Sequence, residues 1–508
     1  MTDFYCHLSS EIRQMGDRYC SASTSNNIEN LCKVLLHEVP DRTETTLGKA
    51  ICIYNVPANI PQSKRDAYTP QVICIGPIHH KNENELKRRY VNQFFNRLRG
   101  GKWEPFQKEL ANTVKNCVDK ISNYYEDGSL ELFKDPKKKT ELLKMIVWDA
   151  AFILELFLKT GEYKKYKNSP EKTSQDDDRY KYDYIIGKPW LTAAIQRDLI
   201  LLENQLPFFI LDDLYKIAAK YIKPDCSCSQ CIRFHKPGCD CFRCNQDPKP
   251  NCSCFQCMGF HTPGIGFHKP DCICFLELSC KYFEKYNKKK TNPLRILHFT
   301  DLVRFFLSSK HPTAISKGTI IYCDTATRLE EAGMKFKQLE DECLLNIKAW
   351  NGDSGGNSIK KGELHVPTIE INDRTECLLR NLMALEQCHF PKEAYICQYV
   401  KFLDLLVDTA EDADLLIKSK IISNSLGKGA AVAELINELC RGIVEVSSSK
   451  NNYSLLAEKL NDYSKNNYNK SKAFLRRQYF KNVWIGTGTV VGLIFLFISL
   501  QDFVRSFL

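Results

Sequence analysis

Apolar residues recur at three- and four-residue intervals through most of this chain, and strict alternation is rare. That periodicity predicts a mainly α-helical protein. "ENELKRRYVNQFFNRL" carries its apolar residues at helical spacing, and "TELLKMIVWDAAFILELFLK" (Thr140 to Lys159) is apolar enough to be a buried helix. "LTAAIQRDLILLENQLPFFILDDLYKIAAKYI" is helical with a break forced at Pro207. Helical patterning resumes in "LRILHFTDLVRFFL" and runs through "TATRLEEAGMKFKQL". It returns in "TECLLRNLMALEQC", "YVKFLDLLVDTAEDADLLIKSKII" and "GAAVAELINELCRGIVEV". Two stretches break the rule. Val72 to Ile75 is a short apolar run closed by Gly76-Pro77, which predicts a strand. "ELHVPTIEIND" alternates, with Val366, Ile369 and Ile371 apolar, as a small β element would. The fold class expected is mainly α, or α+β with one small β element.

One apolar run has no periodicity. "VWIGTGTVVGLIFLFISL", Val483 to Leu500, carries no charge and is apolar on all faces. Its 18 residues span roughly 27 Å as a helix, close to the thickness of a bilayer core. Trp484 stands at its start, where aromatic belts lie. Lys465, Lys470, Lys472, Arg476, Arg477 and Lys481 precede it with no acidic residue among them, and only Asp502 and Arg505 follow. A single-pass, tail-anchored protein with its N-terminal bulk in the cytoplasm is the expectation, in the plasma membrane or an endomembrane. The basic flank favours an anionic leaflet. The N-terminus has no apolar run behind a basic start, so no secretory signal is expected.

Composition adds one strong signal. The net charge is +10, a mild excess compatible with anionic lipid but demanding no nucleic acid, and none is expected as a partner. The chain has 24 cysteines, and half of them fall between Cys226 and Cys280. They form three triplets that start 13 residues apart: Cys226, Cys228 and Cys231; Cys239, Cys241 and Cys244; Cys252, Cys254 and Cys257. Cys272 and Cys274, with Cys280, make a degraded fourth copy. His235, His261 and His268 recur after Phe. This is a tandem repeat. Cys-x-x-Cys places two thiolates within reach of one ion, and a reducing cytosol favours metal over disulfides. Cys228, Cys231, His235 and Cys239 approach a zinc knuckle, with the two later gaps one residue short. All fifteen residues are therefore candidate ligands for zinc or another thiophilic ion. A disulfide framework and a neutral expansion of a tolerant loop remain open beside that reading. The block is poor in apolar residues and cannot build a core by itself.

Polar residues inside apolar helices are the remaining candidates for chemistry: Asp149, Glu155, Glu203, Asn204, Gln205, His298, Asp301, Glu386 and Gln387. Buried carboxylates must be paired or hydrogen-bonded. One reading is an acid–base site with His298 between Asp149 and Glu203; the other is a structural network that caps helix ends and fixes packing. No nucleophile elbow, phosphate-cradling loop or His-Glu-x-x-His supports the first. Gly352 to Gly356, "GDSGG", sits in a polar loop without the strands that a trypsin-like site needs, and His79-His80 follows a turn. No catalytic residue is assigned.

"IYNVPANI", "DAYTPQVICIGPIHH", "IVWDAAFILELFL", "RDLILLENQLPFFILDDLY", "TATRLEEAGMKFK", "LHVPTIEINDRTECLLRNLMALEQ" and the final apolar helix occur here in that order. Together they resemble the plant family called domain of unknown function 247, over roughly 49–222 and 281–508. The resemblance implies a plant membrane protein with a C-terminal span and no established biochemical activity. The implication of some grass members in pollen–stigma self-incompatibility suggests recognition rather than metabolism. The Cys-rich block is not part of the family pattern. The expected organisation is a polar tail (1–48), a family-like helical core (49–222), the Cys-rich insertion (223–280), the second part of the core (281–464), a basic juxtamembrane segment (465–482), the span (483–500) and a short tail (501–508). The expected function is non-enzymatic interaction with an unknown protein partner from a membrane-anchored body. The alternatives are an enzyme using the buried carboxylates, on a substrate the sequence does not name, or a knuckle-like nucleic-acid binder.

Overall fold

The chain's first long helices follow directly from its apolar stripes. A computed structural model describes residues 51–57, 62–80, 84–97, 103–126, 138–168, 180–222, 274–309, 318–340, 343–349, 362–444, 451–479 and 483–505. Helix α1 (Glu85–Arg97) buries Leu86, Tyr90, Val91 and Phe94 against α3 (Lys139–Asn168). Helix α2 (Trp103–Ser122) buries Phe106, Leu110, Val114 and Val118, four residues apart, against α5 (Phe208–Ile222). Helix α3 is buried on every face from Ala150 to Phe157, which makes it the central post of the core. Helix α4 (Pro189–Asp198) begins with proline at its first position, where the missing N–H costs nothing.

The core resumes after the insertion at α6 (Phe275–Tyr282), inside the stretch assigned above to the insertion. Phe275 is fully buried and stacks with Phe208, ring centroids 5.2 Å apart. Tyr282 stacks on Phe157 at 4.2 Å. Helix α7 (Phe299–Ser308) then docks on α9 (Thr375–His389), which also packs against α10 (Tyr395–Leu406). Between them lie α8 (Ala326–Glu331) and strands β1 (Lys335–Leu339), β2 (Lys348–Ala349), β3 (Glu363–Pro367) and β4 (Ile369–Ile371). Helix α11 (Ala410–Lys418), strand β5 (Ile422–Asn424), α12 (Gly429–Cys440) and α13 (Asn452–Lys465) complete the body. Helices α14 (Asn467–Tyr479) and α15 (Val483–Arg505) follow. The fold class is as expected: fifteen α-helices and five short strands among the described residues.

The β structure is a little richer than the alternation predicted. The stretch splits at Thr368 between two sheets. In the first, β3 pairs parallel with β1 (Phe336 opposite Leu364) and antiparallel with β2. In the second, β4 pairs parallel with β5 (Ile369 opposite Ile422). Strand β1 replaces the end of an expected helix. Gly333, at φ +95°, stops α8, and the chain leaves it as a strand whose Phe336 alone among the first four residues is buried. Likewise "YVKFLDLLVDTAEDADLLIKSKII" is two helices, because Thr409 and Asp412 form a capping box that starts α11. The break near Pro207 is longer than a kink. Helix α4 ends at Asp198, and the chain turns from Leu199 to Pro207 before α5 begins.

Candidate functional site

Val72 to Ile75, expected as a strand, makes no strand ladder. Its Val72, Ile73 and Ile75 amides are taken by side chains rather than by a neighbouring strand. The Asp198 carboxylate accepts from the amides of Gln71 at 3.1 Å, Val72 at 2.6 Å and Ile73 at 2.9 Å. Asn204 Oδ1 accepts from the Ile75 amide at 2.6 Å, and its Nδ2 donates to Ile73 O and Asp198 O. Asp149 accepts from the Gly76 amide at 2.8 Å and from Lys87. Three residues from two distant segments thus read this backbone almost amide by amide. A Cβ at Gly76, φ +76°, would stand 2.3 Å from Gln205 O, so only glycine fits this turn.

Glu203, Gln205, His298 and Glu386 are spent in the same way. Glu203 accepts from the Val56 amide at 2.6 Å and meets His79 Nε2 at 2.8 Å. Gln205 donates to Leu199 O and Leu201 O and accepts from the Phe299 amide, tying the turn to the start of α7. His298 caps α7: its Nδ1 accepts from the Asp301 amide at 3.4 Å, and its Nε2–H donates to Cys52 O at 3.0 Å. Burial holds this imidazole neutral, with its pKa down to about 3. Glu386 accepts from the amides of Ile396 and Cys397 at the start of α10 and from Arg304 Nε at 3.1 Å. Burial pushes the Glu386 carboxyl up to about 7, against the pull of Arg304 and those amides. Burial also pushes Asp149 up, against Lys87 and the Gly76 amide. The bonds of Asp149, Glu203 and His298 therefore run to three different sets of partners. Glu155 pairs with Arg97 at 2.6 Å, and Arg97 also reaches Glu162.

One loop turns its aromatic side chains outward. Asp183 is nearly buried and accepts from the amides of Ile185 and Ile186, from Tyr90 and from Lys159. Burial opposes its charge, but those donors prevail and hold the carboxyl below its ordinary value. A Cβ at Gly187 would sit 2.3 Å from Lys181 O, so the loop is tightly wound. From this fixed frame Tyr182, Tyr184 and Trp190 project 73%, 44% and 66% exposed. The Lys188 ammonium lies 3.9 Å from the Tyr184 ring centroid and Arg89 lies 4.9 Å from it. Sequence reasoning assigned the aromatics of this loop no role. Its only signal was the spacing of three aromatics around Gly187-Lys188-Pro189.

Of the fifteen candidate metal ligands, Cys274 and Cys280 are described. The first triplet, Cys226, Cys228 and Cys231, lies outside the described residues, as does His235. So do the second triplet, Cys239, Cys241 and Cys244, and the third, Cys252, Cys254 and Cys257. His261, His268 and Cys272 lie outside them too. Cys274 is exposed and caps α6, its Sγ accepting from the Glu277 amide. Cys280 is buried within α6, and burial pushes its thiol up to about 12, which makes it a poor thiolate donor. Among the described residues no three His, Cys, Asp or Glu side chains are grouped to hold a metal ion. Two concavities open beside α9, of about 10 and 80 Å³, small against the ~300 Å³ at which small-molecule pockets begin.

The family model for a plant protein of unknown function, DUF247, matches residues 53–498. The chain belongs to this family. The DUF247 match runs through the motif residues that hold the Gln71–Gly76 segment. The UPF0481 protein At3g47200 of Arabidopsis thaliana is 25% identical over 473 residues, 87% of this chain and 83% of that protein. A second Arabidopsis thaliana relative, the putative UPF0481 protein At3g02645, is 25% identical over 137 residues, 27% of this chain and 24% of its own. No solved structure matches the chain. The DUF247 match ends within α15, the one described helix long and apolar enough to cross a membrane, over Thr487–Arg505 with a mean hydropathy of 1.7.

Proposed function

We propose that this DUF247 protein is a non-enzymatic recognition protein, held by α15 in a membrane with its helical body on the cytoplasmic side. The observation that carries the reading is the contrast between its polar and its aromatic residues. The buried acids and amides of the motifs bond inward, to backbone amides, while Tyr182 and Tyr184 stand outward on a loop that Asp183 fixes and Trp190 stands outward at the start of α4. Exposed aromatics on a rigid frame are the residue type and setting of interface hot spots. Arg89, Lys181 and Lys188 around them suit a protein partner with an acidic surface. Helix α15 supports the anchor: Leu493, Phe495, Leu496 and Phe497 are each more than half exposed, a face that water does not favour.

The Cys-rich insertion is proposed to hold zinc through its three regular triplets and their histidines. Cys280 is left out of the ligand set because the core holds it.

Proximity labelling from the full chain, beside alkaline extraction of membranes, tests the main reading. The chain should stay with the membrane under alkali. The double variant Tyr182→Ala, Trp190→Ala should lose a defined set of labelled neighbours without losing the membrane. Labelling that is unchanged in the double variant would remove the loop from recognition. Glycosylation at Asn452 or Asn469, both in acceptor sequons, would put the body on the other side.

A further inference from the structure

Helix α14 has thirteen residues and buries none of them. An isolated helix of that length is marginal in water. It touches the body along one line. A Cβ added at Gly333 would meet Ala473 Cβ at 3.1 Å, and Arg477 Nη2 donates to Glu331 O at 3.0 Å. Counting roughly 100° per residue from Ala473, Tyr468, Leu475 and Tyr479 fall about 120–160° away, on the opposite side. They are 70%, 49% and 42% exposed. Phe474, 56% exposed, stands about 100° from Ala473 and extends this apolar face toward Lys470 and Arg477, which border it at about 40–60°, while Lys472 and Arg476 border it on the other side at about 60–100°. No acidic residue occurs between Asp462 and Asp502.

We propose that α14 lies in the headgroup layer of an anionic leaflet, with Tyr468, Phe474, Leu475 and Tyr479 inserted and Lys470, Lys472 and Arg476 on lipid phosphates and carboxylates, while Arg477 stays on the body. The occupant is a lipid surface rather than a protein. The apolar face covers roughly 140°, is rich in Tyr and is bordered by cations on both sides, as an interfacial helix requires. It is also continuous in sequence with α15, three residues on. Through Ala473 and Arg477 the helix holds α8 and the body at a fixed height and tilt. This inference rests on α15 being a membrane anchor.

The test is hydrogen exchange of residues 467–479 in the full chain, reconstituted into nanodiscs of phosphatidylcholine alone or with phosphatidylserine. Protection should be greater with phosphatidylserine and fall in high salt. It should drop about fivefold on Lys472→Gln, the fold-change of one cation at an anionic surface. The triple variant Tyr468→Ser, Leu475→Ser, Tyr479→Ser should lower it with all four cations present. Equal protection in both lipids, with the chain embedded, overturns the proposal. If the chain fails to embed, the anchor reading falls, and vesicle flotation separates the two claims. Retention by phosphatidylserine vesicles alone upholds α14 as a lipid-surface helix, and retention by neither lipid overturns it.

Discussion

His298 illustrates how a residue that invites a catalytic reading can be accounted for by its hydrogen bonds. Both ring nitrogens are committed, one to the amide that opens α7 and one to the Cys52 carbonyl. The first bond requires an unprotonated Nδ1, so the ring must be neutral. Its folded-state pKa, about 3, lies below the ordinary 6.5. As pH falls below 6.5 the unfolded chain takes up a proton that the folded chain refuses. Stability from this site is full above pH 6.5 and declines as pH falls toward 3, by up to about 1.4 kcal/mol per pH unit. Glu386, shifted the other way, gives an opposite slope between 4.5 and about 7, so the wild type alone does not isolate the histidine. The comparison with His298→Asn does, since asparagine is also a good helix cap. Urea unfolding at pH 7 and pH 5 should show the wild type losing more stability than the variant between those two values. Parallel losses would mean that His298 carries a proton in the folded state.

At the scale of elements, the helices were legible where an apolar stripe was followed along the chain, as in α1 and α3. What the sequence hid was who answers the backbone. Val72 to Ile75 has the composition of a strand, and nothing local reveals that Asp198 and Asn204, some 125 residues on, take its amides in place of a ladder. Asp149, Glu203, Asn204, Gln205 and Glu386 were legible as buried and hydrogen-bonded, but Asp198 was passed over, and the partners were hidden because those bonds are long-range. Strand β1 was missed for a different reason: Gly333 ends α8 in the middle of a pattern that local spacing continues. The Cys-rich insertion is the reverse case, a clear repeat whose chemistry the sequence leaves open. Purified under reducing conditions, the full chain should carry about two to four zinc ions, by four-ligand arithmetic. Chelation should release them and make the insertion protease-sensitive while the helical body persists. A metal-free chain with all the insertion's thiols reactive would reduce the block to an expanded loop.

Over the whole molecule, a division of labour emerges. Residues distant in sequence, among them Asp149, Asp198, Glu203, Asn204, Gln205, Asn381 and Glu386, stitch the amides and carbonyls of extended segments to the ends of helices. The proposed recognition role falls to the surface, around Tyr182, Tyr184 and Trp190, and the proposed attachment to α14 and α15. The central claim is that the motif acids serve the fold. Asp198→Asn, measured by urea unfolding of the full chain in detergent against wild type and Trp190→Ala, tests it most directly. It replaces with an NH2 group one oxygen of a carboxylate that accepts from the Gln71, Val72 and Ile73 amides and from Arg197 Nη1, and should cost about 3 kcal/mol or more. Trp190→Ala, on the surface, should stay within about 0.5 kcal/mol of wild type. An Asp198→Asn chain as stable as the wild type would contradict the account and mark that carboxylate as held for chemistry rather than for the fold.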